Sequence, residues 1–202
     1  SGVSHDLRTP LTRLKLGLSM LSEDEREPLE RDVDEMQQLL DEFLSFARNQ
    51  SEDASKSIPT NPFELAKTIV EDAKRSGRNV SLVGEEIKNS VNMRPLMVKR
   101  ALENLIMNAV RYGSKAEISV RMEADELIYS IEDDGPGIPE HQIQQAMKPF
   151  SRLDPSRNQN HGSGVGLGLP IAVDVAHSHG GRLSLSKSQS LGGLRAELFI
   201  SG

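Results

Sequence analysis

The sequence predicts an α+β protein: a helical hairpin that doubles into a dimeric four-helix bundle, followed by a two-layer α/β sandwich. Three observations carry this. Apolar residues recur at alternating steps of four and three through the first 47 residues. A polar stretch then breaks the period. Beyond it, helix-period segments alternate with short strand-like runs.

Leu7, Leu11, Leu14, Leu18 and Leu21 form the first stripe, and Leu29, Val33, Met36, Leu40, Phe43 and Ala47 the second. Both follow heptad spacing, and one hairpin buries only a narrow seam, so a second copy is expected to complete a bundle through residues 1–50. The alternative is that the stripes pack on the rest of the same chain. Between the stripes lies the polar connection "SEDEREP", with Pro28 expected as the first residue of the second helix. "NQSEDASKSIPTNP", residues 49–62, reads as loop, which places a linker at 51–60 and a second domain at 61–202. There, Asn61-Pro62 opens a helix to about Arg75. "NVSLV" and "SVNM" read as strands, Pro95 opens a helix closed by Gly113, and residues 116–133 form a hairpin around Ala124-Asp125. Residues 139–163 are mostly polar. A final helix is expected from Val165 to His179, stopped by Gly180-Gly181, before the strands "RLSLSKS" and "LRAELFI".

Composition narrows the classes. The chain has 202 residues, 36% hydrophobic and 27% charged, with 3% aromatic and no Trp, so its core is aliphatic. A net charge of −6 argues against a nucleic-acid surface. The absence of Cys excludes disulfides and thiolate metal sites. No run reaches the roughly 20 apolar residues that span a bilayer, so no membrane segment is expected in what reads as a fragment of a longer protein, with Ser1-Gly2 a cloning remnant.

Three segments point to a nucleotide. "HGSGVGLGLPIA" places Gly162, Gly164, Gly166 and Gly168 ahead of an apolar helix, where backbone amides and the helix N-terminus favour a phosphate. A flexible hinge is the alternative. It is neither a Walker A loop, which needs Gly-Lys-Ser/Thr, nor the G-x-G-x-x-G fingerprint. "EDDGPGIP" ends a strand at Asp133 and turns through Gly135 and Gly137. A buried carboxylate there can accept from an exocyclic amine beside a flat ring; an ordinary surface turn is the alternative. "ENLIMNAVRYG" puts Asn104 and Asn108 on one helix face, with amide oxygens suited to Mg2+, and Arg111 and Tyr112 near the same edge. A solvated Asn pair is the alternative. His177 and His179 point to different faces and make a poor metal pair, and His141 and His161 are expected to be solvated.

Taken in order, "SHDLRTPL", "NLIMNAVRYG", "DDGPGI", "PFSR" and "GSGVGLGL" resemble the H, N, G1, F and G2 boxes of bacterial sensor histidine kinases. Val165 and Pro170 stand where that family usually has other small or apolar residues. The resemblance implies a dimerisation and phosphoacceptor domain and a Bergerat-type ATP-binding domain, with ATP and Mg2+ as cofactors. It implies that Asp133 reads the adenine amino group, in a G1 turn with Gly135, Gly137 and Ile138. Asn108 and Asn104 would hold Mg2+, with Arg111 and Tyr112 flanking the nucleotide. Phe150 and Arg152 would belong to a mobile lid over 139–163. Gly162, Ser163, Gly164, Val165, Gly166, Leu167 and Gly168 would wrap the phosphates. It further implies an OmpR-type response regulator receiver domain as partner, and the cytoplasmic domain of an inner-membrane receptor as setting.

The same resemblance makes His5 the acceptor of the ATP γ-phosphoryl group. His5 lies about 200° around the helix from Leu7, away from the stripe, and an imidazole is a usable nucleophile near neutral pH. Asp6 can accept from one ring nitrogen and fix the tautomer. Thr9 is one turn on, and the acid-x-x-Thr pattern implies phosphatase activity towards the regulator. Pro10 cannot donate to the Asp6 carbonyl, which weakens the helix at this cluster and makes it a candidate hinge. The competing readings are an ATP-driven dimer clamp of the gyrase or Hsp90 type and a non-catalytic docking module. The His-Asp-x-x-Thr hairpin disfavours the first and the filled motifs disfavour the second.

Overall fold

A computed structural model describes residues 2–51, 56–151 and 166–201, with the backbone alone for residues 2–8, 35, 38–39 and 41–51. It divides into two compact units, the first spanning residues 1–53 and the second most of the rest from residue 54.

In the first unit α1 (Gly2–Leu18) and α2 (Glu23–Ser51) form a hairpin. Its heptad positions split. Leu11, Leu18 and Val33 are buried together, with Leu40 packed on them, whereas Leu14, Leu21, Leu29 and Met36 are 40–52% exposed. One apolar position per heptad therefore closes the hairpin and the other faces outward. Lys15 donates to Asp34 at 2.6 Å across the pair, which raises the pKa of its ammonium. Pro28 lies inside α2 and not at its first residue. The acidic run Glu23-Asp24-Glu25 starts the helix earlier because it complements the positive end of the dipole. Ser22 closes that turn: its carbonyl accepts from Glu25 and Arg26, and its hydroxyl donates to the Glu25 carboxylate. Pro10 sits within α1.

In the second unit five strands assemble in the order β2-β4-β5-β7-β6: β2 (Val80–Val83), β4 (Ala116–Glu123), β5 (Glu126–Asp133), β6 (Leu183–Lys187) and β7 (Leu194–Ser201). β2 runs parallel to β4, and the other pairs are antiparallel. Helices α3 (Pro62–Arg75), α4 (Pro95–Tyr112) and α6 (Gly168–Ser178) cover one face. Asn61 caps α3 by accepting from Phe63 and Glu64 N–H groups. Register aligns Ala116, Ile118 and Val120 with Asp133, Ile131 and Tyr129, and the last two with Ala196 and Leu198. This row is buried and forms the core with Leu102, Leu105, Ile106 and Ala109 of α4. The other sheet face carries Arg121, Glu132, Arg195 and Glu197; Arg121–Glu197 and Arg195–Glu132 pair across strands, and Arg195–Glu197 pairs along β7.

In the second unit three elements depart from the sequence expectation. β1 (Ile58–Thr60) pairs with β3 (Val91–Met93) as a two-stranded ribbon, so the expected linker ends in a strand. Pro59 hid it, since proline is tolerated only in such edge pairings. α5 (Glu140–Ala146) occupies the start of the polar segment and buries only Ala146. α6 begins at Gly168; Val165, its expected start, lies outside the described residues. At the far end of α6, His179 ties two helices. Its Nδ1 is 2.8 Å from the Val175 carbonyl, and its Nε2 accepts from the Arg94 N–H, just before α4, at 3.0 Å. Burial first, then the Arg94 charge, lowers the pKa of this imidazole.

Candidate functional site

The alternation of β5 sets the first functional group. Leu127, Tyr129 and Ile131 face the helices, so Asp133, the next residue in that row, carries a carboxylate to the core edge. Its side chain is buried. Oδ1 accepts from Gly135 N at 2.8 Å and Leu194 N at 3.0 Å, and its carbonyl accepts from Gly193 N at 3.0 Å. Oδ2 takes no hydrogen bond among the described residues. Burial raises the carboxyl pKa, and the two amides partly oppose it.

Glycines make this packing possible. A Cβ on Gly135 would lie 2.7 Å from the Tyr112 carbonyl oxygen, and one on Gly193 would lie 2.3 Å from Asp133 Oδ1. Gly137 adopts φ 69° beneath the Gly193 carbonyl, and Ile138 is half-buried beside it. The turn before β7 is thus part of the site, a role the sequence reading missed; the paired glycines of "SLGGL" were its only signal.

α4 ends against the turn after β5, where Tyr112 meets Gly135. Asn104 and Asn108 are half-buried, and Asn104 Nδ2 donates to the Arg100 carbonyl at 2.9 Å, leaving Oδ1 with ligand capacity. Arg111 is half-buried and Tyr112 exposed at the helix end. Gly168 opens α6 against Asn108, where a Cβ would stand 3.0 Å from Asn108 Nδ2. The first-turn amides of α6 therefore begin next to that asparagine. Leu167 is fully buried.

Phe150 (φ 61°) donates its N–H to the carbonyl of Gly166 (φ 74°) at 3.2 Å. Arg152, Gly162, Ser163, Gly164 and Val165 lie outside the described residues. The structure thus groups Asp133, Gly135 and Gly137 around Gly193, and separately sets Asn108 against Gly168, all in the second unit. His5, Asp6 and Thr9 are on α1 in the first unit; the side chains of His5 and Asp6 lie outside the description, and Thr9 is exposed. Among the described residues no three His, Cys, Asp or Glu side chains cluster as a metal site, and no helix is long and apolar enough to cross a membrane.

Comparison with known proteins gives the class of this chain. Residues 93–201 match the histidine kinase-, DNA gyrase B- and HSP90-like ATPase family, and residues 1–52 match the His kinase A phospho-acceptor domain. The chain belongs to the sensor histidine kinases, and its α+β second unit has the Bergerat fold. It is 39% identical over 200 residues to sensor histidine kinase GtrS of Pseudomonas aeruginosa, covering 98% of this chain and 40% of that protein. The ATP-binding domain of PrrB from Mycobacterium tuberculosis superposes with a TM-score of 0.58 at 28% identity, covering 73% of this chain and 98% of that one. The histidine kinase domain of the Escherichia coli osmosensor EnvZ does so with 0.51 at 28% identity, covering 73% and 92%.

Proposed function

We propose that the second unit binds ATP with Mg2+ and that the chain is a protein-histidine kinase whose phosphoacceptor is His5. Two observations carry the reading: a buried carboxylate with one oxygen uncommitted among the described residues, and an asparagine packed on the glycine that opens α6. Asp133 Oδ2 would accept from the adenine amine, Gly135 and Gly137 leave space for the ring, and the α6 amides face the phosphates. Asn108 and Asn104 would hold Mg2+, which neutralises charge on the transferring phosphoryl group when bound. Gly168 fits this role, because any side chain there would crowd Asn108.

His5 would take the phosphoryl group and pass it to an aspartate on a response regulator receiver domain, of OmpR type by resemblance. Thr9, Thr12 and Leu16 fall within roughly 40° of His5 on α1, and Leu16 is 67% exposed, which supports partner contact on that face. Thr9 would orient the water that dephosphorylates the regulator. Leu14, Leu21, Leu29 and Met36 favour a homodimer, since a second hairpin would cover them. The setting is the cytoplasmic side of an inner-membrane receptor. The dimer-clamp reading shares the ATP site but leaves His5-Asp6-x-x-Thr9 without a task.

Calorimetric titration with a nonhydrolysable ATP analogue tests the site. Binding should require Mg2+ and vanish in Asn108→Ala. A wild-type chain that binds no nucleotide would refute the reading.

A further inference from the structure

We propose that Asp134 is a positioning residue that sets the spacing between the two walls of the nucleotide site. This rests on the nucleotide reading above. Asp133 ends β5 and Gly135 lies in the turn after it, whereas Asn104, Asn108, Arg111 and Tyr112 belong to α4. Asp134 joins them. Its Oδ1 accepts from Ser114 N at 2.7 Å and Lys115 N at 3.0 Å, and its Oδ2 accepts from the Ser114 hydroxyl. An aspartate in an Asp-Gly-Pro-Gly turn ordinarily caps its own turn. Here every one of these donors lies 19 or 20 residues away, in the segment that leaves α4.

The joint is as close as backbone permits. A Cβ on Gly113 would lie 2.6 Å from Asp134 Oδ1, and one on Gly135 would lie 2.7 Å from the Tyr112 carbonyl oxygen. Between these two glycines the carboxylate fixes the separation. It stands beside the C-terminal end of α4, where the helix dipole disfavours an anion, and its charge also raises the pKa of the neighbouring Asp133. Those electrostatic costs are offset by the three donors, so the residue is there for geometry. The Ser114 hydroxyl and the two amides hold its own pKa down to about 2, which excludes a proton-transfer role near neutral pH. Asp133 is adjacent to Asp134 in sequence, and Asn108 lies one turn before the end of α4. A shift at the strap therefore moves one wall against the other, and a ligand held by both walls loses affinity.

The test titrates wild type, Asp134→Ala, Asp134→Asn and Ser114→Ala with the ATP analogue and Mg2+, well below each melting temperature. Asp134→Ala should weaken binding about tenfold or more, as expected when a shell that positions a site is removed. Asp134→Asn keeps an oxygen for both amides and should recover to within about threefold of wild type; Ser114→Ala, with one bond lost, should fall between. Wild-type affinity in a folded Asp134→Ala would overturn the inference alone, even with a lower melting temperature. Asp134→Asn as weak as Asp134→Ala would also overturn it, because charge and not position would then matter. If Asp134→Ala does not fold, wild-type affinity in Ser114→Ala overturns it. No binding by wild type would remove this inference and the nucleotide reading together.

Discussion

Gly193→Ala isolates the contact on which Asp133 depends. The new Cβ would stand 2.3 Å from Asp133 Oδ1, 2.5 Å from its carbonyl oxygen and 2.5 Å from Gly135 N. Two of these atoms are backbone, so relief requires the turn before β7 to move away from the end of β5. That motion breaks the bonds from Gly193 N to the Asp133 carbonyl and from Leu194 N to Asp133 Oδ1, both 3.0 Å. The first is worth about 1 kcal/mol and the second, to a carboxylate, about 1.5–3 kcal/mol. Residual crowding adds about 1–3 kcal/mol. Discounted for non-additivity, the loss is about 3–5 kcal/mol, or a fall in melting temperature of about 10 °C for a unit of this size. Nucleotide binding should be lost with it. Gly192 is the control: its φ is 88°, but nothing lies within 4 Å of its Cβ position. Gly192→Ala therefore costs only the left-handed backbone, about 1–2 kcal/mol. Circular-dichroism melts and calorimetric titration read both variants. A Gly193→Ala protein that melts with Gly192→Ala and binds nucleotide normally would refute the reasoning.

Further outcomes follow from the same structure. Asp133→Asn removes a carboxylate whose raised pKa marks an unfavourable buried charge, yet its amide oxygen can still accept from Gly135 and Leu194. The variant should melt at or above the wild-type temperature while losing ATP-analogue binding; a clear drop in melting temperature would contradict this. His179 is kept neutral by its fold, so its folded pKa lies below 6.5 and the unfolded chain binds the extra proton more readily. Its contribution is complete above pH 6.5 and declines as the pH falls through and below that value. The loss of melting temperature between pH 8 and 5.5 should be smaller in His179→Ala than in wild type, and equal slopes would exclude the effect. Thr9→Ala should retain labelling by ATP and lose most regulator dephosphorylation, measured on a phosphorylated receiver domain. Equal loss of both activities would reject the assignment.

Local pattern revealed much of this molecule. Pro95 and Gly113 bracket α4, whose apolar period leaves Asn104 and Asn108 on the other side. The strand alternation that makes Leu127, Tyr129 and Ile131 core also carries Asp133 inward. Long-range contact hid the rest. Asp134 acts on donors beyond two strands, and Gly193 acts on a strand end reached only when β5 and β7 pair. The bond between His179 and Arg94 was hidden because the two are remote in sequence. β1 is too short and carries a proline, and α5 lacks an apolar stripe. Heptad spacing gave the hairpin but could not distinguish Leu11 and Leu18, which close it, from Leu14 and Leu21, which it leaves open.

The central claim is phosphoryl transfer from ATP to His5, and chemical stability of the product tests it directly. Incubation with γ-labelled ATP and Mg2+ should give a protein-bound label that is lost in acid, survives alkali and is absent from His5→Ala. A label that survives acid, or persists in His5→Ala, would contradict the account.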